Sequence, residues 1–390
     1  MKLRIGWLAP LAASLALSSG VTAATKIDPA TVRPMFLALP GNAPWHHVRL
    51  QPGKLAPLAQ WNGSFVDRLG NTVTYTMAGT DPSTNNAPIS IPVVIIPLKM
   101  VYGPSNGNTT FDPVAHVVTG TAKNIVDMTT SSPVFSSSVK WVSGKQNLGA
   151  TQYIDAFQRG NFWKYVHTNT NYHVLLNPIT VAKEQTIVVD PVDGGTMTNP
   201  FTKRGTVGTM DINPFDLQLN AFITAIRAVQ PSVFPLFISY NIYLTSGGQC
   251  CIGGYHSDVA PTHRSQTYGY ATFVDDPPPA KGDPQAFSED ISAVSHEVGE
   301  WMDDPFVDNA VPDCQDNTGG FLEVGDPLEI NPVHRYGVFP VKSNGYRFHP
   351  QSLVYLPYFG APKTTSVGNN YSFKGFHYDG VKVCNGQPQR

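Results

Sequence analysis

From residue 25 to about residue 85 the chain is rich in Pro, Gly, Asn and Thr, with only short alternating patches such as Asn71-Thr72-Val73-Thr74-Tyr75-Thr76. Alternation at period two marks half-buried strands, so loops and short strands are expected here. Ile89 to Met100 is a β-branched run between Pro-rich flanks. It predicts a buried strand, with Thr109 to Val118 as a pairing partner. Tyr153, Ile154, Phe157 and Phe162 then follow near-helical spacing and predict a helix from Ala150 to Gly160 with its aromatics in the core, and Glu184 to Asp190 reads as a short strand.

The second half has a clearer order. Leu219, Phe222, Ile223 and Ile226 form one stripe over Phe215 to Val229, with Pro214 at the start and Pro231 beyond the end, which predicts a helix. Val233 to Leu244 and Thr267 to Val274 are rich in aromatic and β-branched residues and predict two strands. A last helix is expected from an Asp283-Pro284 start to the Asp303-Asp304-Pro305 stop. Within it Phe287, Ile291, Val294, Val298 and Trp301 alternate spacings of four and three, drawing one apolar stripe. At about 100° per residue, His296 and Glu300 fall on the opposite face, toward a cleft or solvent, and the small Ser292, Ala293 and Gly299 leave room beside them.

Composition narrows the class. Lys2 and Arg4, an apolar run to about Leu17 and the small residues Val21-Thr22-Ala23-Ala24 read as a signal peptide over residues 1–23, so the mature protein is expected to be secreted or periplasmic. No later apolar stretch is suited to crossing a bilayer, because Ile89 to Val101 is broken by Pro92, Pro97 and Lys99. The net charge is −2 and no basic cluster occurs, which argues against nucleic acid as a partner. The rest of the 390-residue chain suffices for one large domain or two ordinary ones; composition divides it into a β- and loop-rich region, 24–149, and a second region, 150–390. Four cysteines fit an oxidising compartment. Because adjacent cysteines seldom pair, Cys250 and Cys251 are expected to reach Cys314 and Cys384, in an order the sequence leaves open.

The candidate chemistry lies in the last helix. Five of the six glutamates, Glu289, Glu297, Glu300, Glu323 and Glu329, fall within about forty residues that also contain Ser295-His296-Glu297-Val298-Gly299-Glu300-Trp301. A His and a Glu four positions apart share a helix face and can hold a metal, while the Glu next to the His can hold and deprotonate a metal-bound water. His296 and Glu300 are therefore candidate ligands, Glu297 the candidate base, Glu323 the candidate third ligand, and Asp326 a carboxylate that orients His296. His334, Tyr336 and His349 are available as oxyanion donors, with His334 and Tyr336 assigned that role; His256 could line the same cleft, but its stretch reads more strongly as a disulfide-pinned loop. Two blander readings compete: an i,i+4 pair on a solvated helix face, and a structural Ca²⁺ loop through Asp303, Asp304, Asp308, Asp313, Asp316 and Asp326. No P-loop or G-x-G-x-x-G turn occurs.

From Phe215 to Asp326 these features resemble the zincin metallopeptidases, most closely the branch whose third ligand is a glutamate some twenty residues after the helix motif. The resemblance implies an α+β fold with a zincin-like core, a mixed sheet with a backing helix and an active-site helix, following the β- and loop-rich N-terminal region. It implies Zn²⁺ held by His296, Glu300 and Glu323, and a peptide or protein substrate. Glu300 stands where that family has a second His, which makes the site formally neutral and raises the pKa of bound water. The expected function is a secreted metal-dependent hydrolase; the alternative is a non-catalytic, metal- or calcium-stabilised exported binding or envelope-associated protein.

Overall fold

A computed structural model describes residues 27, 32–41, 56–259, 265–275, 288–312, 319–329, 336–376, 382–383 and 387–388. The first half contributes strands β1 (Val32–Leu39), β2 (Gln60–Val66), β3 (Thr72–Ala78), β4 (Pro88–Tyr102), β5 (Thr109–Phe111), β6 (Val139–Ser143), β7 (Gln146–Thr151), β8 (His173–Val181) and β9 (Gln185–Val189). Helices α1 (Ile125–Thr130), α2 (Tyr153–Asn161) and α3 (Trp163–Val166) interrupt them. The second half adds β10 (Gly194–Thr198), β11 (Thr206–Asp211), α4 (Ile212–Ala225), β12 (Phe234–Tyr240), β13 (Ile242–Ser246), β14 (Gln249–Asp258), β15 (Thr267–Phe273), α5 (Ser292–Asp303) and α6 (Asp326–Glu329).

Eleven strands form one mixed sheet, in the order β10-β11-β13-β14-β15-β12-β4-β5, with β1 added to β14 and with β8 and β9 added to β4. The long β4 reads as a continuous apolar run because both its faces are buried. Side-chain alternation sorts it into two cores: Val93 and Ile95 join the first, Val94 and Ile96 the second. Pro92, which cannot donate to a ladder, falls where the β4–β8 register shifts, between Ile91 and Val93. Helix α5 contributes Val294, Val298 and Trp301 to the first core, and α4 contributes Phe215, Leu219 and Ile223 to the second, so the two helices cover opposite faces of the sheet.

The local expectations and the overall class fare differently. Elements appear where they were expected at β3, β4, β9, α2, α4 and β15, and β5 pairs with β4 over Thr109–Phe111 alone. The run from Val233 to Leu244 is split into β12 and β13 at Asn241, whose φ is +52°. The proposed Asp283-Pro284 helix start and Phe287 lie outside the described residues; α5 begins at Ser292 and ends at Asp303.

The α+β class with a zincin-like core is overturned. The chain is mostly sheet, 40% strand against 20% helix, built around a large, nearly closed, barrel-like mixed sheet. Apolar periodicity identifies a strand but not its partner. Here β1 pairs with β14 and β4 with β12, across more than a hundred residues of chain. The stretch expected to be a loop, residues 250–256, is itself strand, and it borders β1, β13 and β15. The disulfide expectation is also corrected. Cys250 bonds its neighbour Cys251 rather than a distant cysteine, their Cα atoms lying 3.0 Å apart across a cis peptide. Cys314 and Cys384 lie outside the described residues.

Candidate metal centre

Helix α5 is buried along its whole length, including the face expected to look toward a cleft or solvent. On the core side Trp301 stacks on Phe234 at 3.8 Å between ring centroids, and its Nε1–H donates to Thr267 Oγ1 at 2.9 Å. The polar side meets β14, the 322–326 stretch and Gln351. A charged helix face can be buried only if its groups find partners.

Those partners are two histidines and a set of carboxylates. His256, brought in by β14, donates Nε2–H to the Asp304 carbonyl at 3.0 Å, which leaves the Nδ1 lone pair facing inward. Around Nδ1 lie Glu297 Oε2 at 3.6 Å, Glu300 Oε2 at 3.9 Å and Glu323 Oε2 at 3.9 Å. His296 donates Nδ1–H to Gln351 Oε1, and Gln351 is held by its own donation to the Gly325 carbonyl at 3.1 Å. The other nitrogen, Nε2, is 2.9 Å from Glu300 Oε2 and 3.4 Å from Asp326 Oδ1, and Phe36 stacks on the ring at 3.8 Å. Glu300 Oε1 accepts the amides of Gly325 at 2.9 Å and Asp326 at 3.3 Å, which turns Oε2 toward the histidines. Two glycines make room: a Cβ on Gly254 would lie 2.6 Å from Glu297 Oε1, and one on Gly325 would run into the His296 ring.

Burial and mutual repulsion set the electrostatics of the cluster. Burial, reinforced by Glu300, Asp326 and Glu329, pushes the Glu297 carboxyl well above its ordinary range despite the opposing His296. Burial also raises Glu323, with Glu300, Asp304 and Asp326 adding to it. Burial would raise Glu300 too, but His296 holds it low. The reciprocal effect carries His296 well above its usual value against burial, whereas burial brings His256 down to about 4. Among the described residues, both oxygens of Glu297 and of Glu323 and His256 Nδ1 are buried without a hydrogen-bond partner.

A divalent cation among these donors would compensate the buried carboxylates. Ligands about 2.0–2.2 Å from a tetrahedral ion stand about 3.3–3.6 Å from one another, and the donor separations here run from 2.9 to 3.9 Å. The compact donor groups are His296–Glu300–Asp326 and His256–Glu297–Glu300. Imidazole and carboxylate donors without thiolate suit Zn²⁺ and the harder first-row divalent ions.

No protein-family model, curated protein or solved structure matches the chain. The surroundings of the His-Glu cluster hold nothing specific to a zincin, so the chemistry is argued from the site's own geometry.

The structure gathers His296, Glu297, Glu300, Glu323 and Asp326 into one cluster, but the compact group around His296 takes Asp326 in place of the expected third ligand Glu323, which lies 3.9 Å from His256 Nδ1. Asp326, expected behind His296, instead faces its inward nitrogen, and Gln351 takes the orienting place. His334 lies outside the described residues. Tyr336 packs on the edge of the first core. His349 pairs with Asp290 at 2.7 Å and Glu289 at 3.3 Å, in a separate and less buried group. Of the aspartates considered for calcium, Asp304 accepts the amides of Asp308 and Asn309 and Asp303 accepts from Gln158, while Asp313 and Asp316 lie outside the described residues. A groove of about 720 Å³ lined by Trp61, Tyr75, Phe162, Tyr165, Asp308 and Asn309 opens near the end of α5, and no donor of the cluster lines it. His256 and Gln351 are the residues that sequence reasoning underweighted or missed. The His in Gly253-Gly254-Tyr255-His256 was a visible signal; Gln351 carried none.

Proposed function

We propose that the protein is a metal-dependent hydrolase that works outside the cytoplasm. The observation that carries this reading is Glu297, a buried carboxylate with both oxygens unpartnered, 3.6 Å from one candidate ligand and adjacent in sequence to another. A divalent ion lowers the pKa of bound water toward neutrality. Glu297, with both oxygens free of hydrogen-bond partners among the described residues, would be placed to take a proton from that water and pass it to a leaving group. His296, Glu300 and Asp326 are the first holding set, with His256 and Glu323 closing the other side. The choice of a peptide or similar amide as substrate comes from the sequence resemblance, and export from the leader-like residues 1–23, which lie outside the described residues.

The test is Glu297→Gln, with metal content and amide hydrolysis measured on the same preparation. A hydrolase keeps its metal and loses turnover by roughly a hundred- to ten-thousandfold. If the parent binds metal but never cleaves an amide or ester, the catalytic reading is wrong. A second reading, an ion that only stabilises an exported protein, is favoured by the burial of every donor: His256, His296, Glu297 and Glu300 are 0% exposed.

A further inference from the structure

We infer that the centre holds two divalent cations, with the Glu300 carboxylate bridging them through Oε2. The inference rests on the metal-binding part of the reading above and changes the number of ions. Its first support is how the donors divide. The two histidines fall into different compact groups, His296 with Glu300 and Asp326, and His256 with Glu297 and Glu300, and Glu300 alone belongs to both. Because Glu300 Oε1 is occupied by the Gly325 and Asp326 amides, Oε2 is the atom both groups share. It lies 2.9 Å from His296 Nε2 and 3.9 Å from His256 Nδ1. A single oxygen about 2.0–2.2 Å from each of two ions can bridge the roughly 3.5–4 Å separation of two-metal sites.

The second support is the surplus of donors. A four-coordinate ion at His296, Glu300 and Asp326 would need one more ligand. Beyond that set the pocket still offers His256 Nδ1 and both oxygens of Glu297 and of Glu323, all buried and without hydrogen-bond partners among the described residues. His256 Nδ1, on a residue with no exposed surface, points into this second position, with Glu323 Oε2 3.9 Å away. The second ion occupies the space among His256, Glu300, Glu323 and Glu297, which leaves Glu297 beside both ions. Gly254 keeps that side open, because a Cβ there would meet Glu297 and the Tyr270 carbonyl.

The experiment is metal stoichiometry on the full chain, loaded with Zn²⁺ and desalted, together with electron paramagnetic resonance of the protein loaded with Mn²⁺. About two equivalents per chain and an exchange-coupled Mn²⁺ signal are expected. Glu323→Gln and His256→Gln should each fall to about one equivalent with an uncoupled signal, and Glu300→Gln should disturb both positions. One equivalent and an uncoupled signal in the parent overturn the two-ion inference and leave the hydrolase reading standing. No bound metal removes both. If the variants do not fold, the parent's stoichiometry and spectrum still decide.

Discussion

Glu323→Gln should change sign with metal. In the metal-free protein the Glu323 carboxyl is raised well above its ordinary 4.5 by burial, with Glu300, Asp304 and Asp326 adding to it. A carboxyl with a raised folded-state pKa stabilises the protein fully below its unfolded value, and that contribution is lost as pH rises through the folded value, at about 1.4 kcal/mol per pH unit while the two states differ in protonation. The amide does not titrate, so metal-free Glu323→Gln should gain on the parent steadily as pH climbs above about 5. With metal the order reverses. At a free concentration near 1,000 times Kd, an ion that binds only the folded state adds about 4 kcal/mol, and a hundredfold loss of affinity on removing a charged ligand cuts this to about 1.4, a net cost of about 2.7 kcal/mol. Thermal or denaturant unfolding of both proteins, with buffered Zn²⁺ and with chelator, at about pH 5 and about pH 8, reads all of these terms. Equal destabilisation in metal and in chelator, independent of pH, would make Glu323 an ordinary packing residue and refute the reasoning.

Other perturbations follow from the same contacts. Gln351→Leu leaves His296 Nδ1–H and the Gly325 carbonyl without their partner, and should weaken metal binding roughly ten- to a hundredfold in competition with a chromophoric chelator; unchanged affinity would mean that His296 is not a ligand. Gly254→Ala places a Cβ 2.7 Å from the Tyr270 carbonyl, a backbone atom, as well as 2.6 Å from Glu297 Oε1. It should cost about 1–3 kcal/mol of stability and displace Glu297, and a variant as stable and metal-replete as the parent would count against the packing described here. Trp301→Phe removes the Nε1–H donor to the buried Thr267 hydroxyl and should cost about 1 kcal/mol without altering metal content, so a change in metal content would show that the core side of α5 also sets the donor geometry.

The sequence by itself determined the register of α5 and the content of the site's helical half. Spacings of three and four place Val294, Val298 and Trp301 on one side and His296 and Glu300 on another, because a helix fixes side-chain direction locally. The clustering of five glutamates in a Glu-poor chain also marked the stretch whose carboxylates gather in the fold, where Glu323 comes near His256 and Asp326 near His296. What faced that helix was decided only by tertiary structure. That the His-bearing face is buried, that residues 249–258 form a strand, and that His256 and Gln351 complete the cluster all depend on pairings between distant segments. Gly254, a residue that depresses strand propensity, is the one the close approach to Glu297 requires, so the local signal ran against the packing at that point. Periodicity reports which side of an element is apolar. It carries no information on which remote strand will lie against it, because that choice is made by contact energies that exist only once the chain has closed on itself.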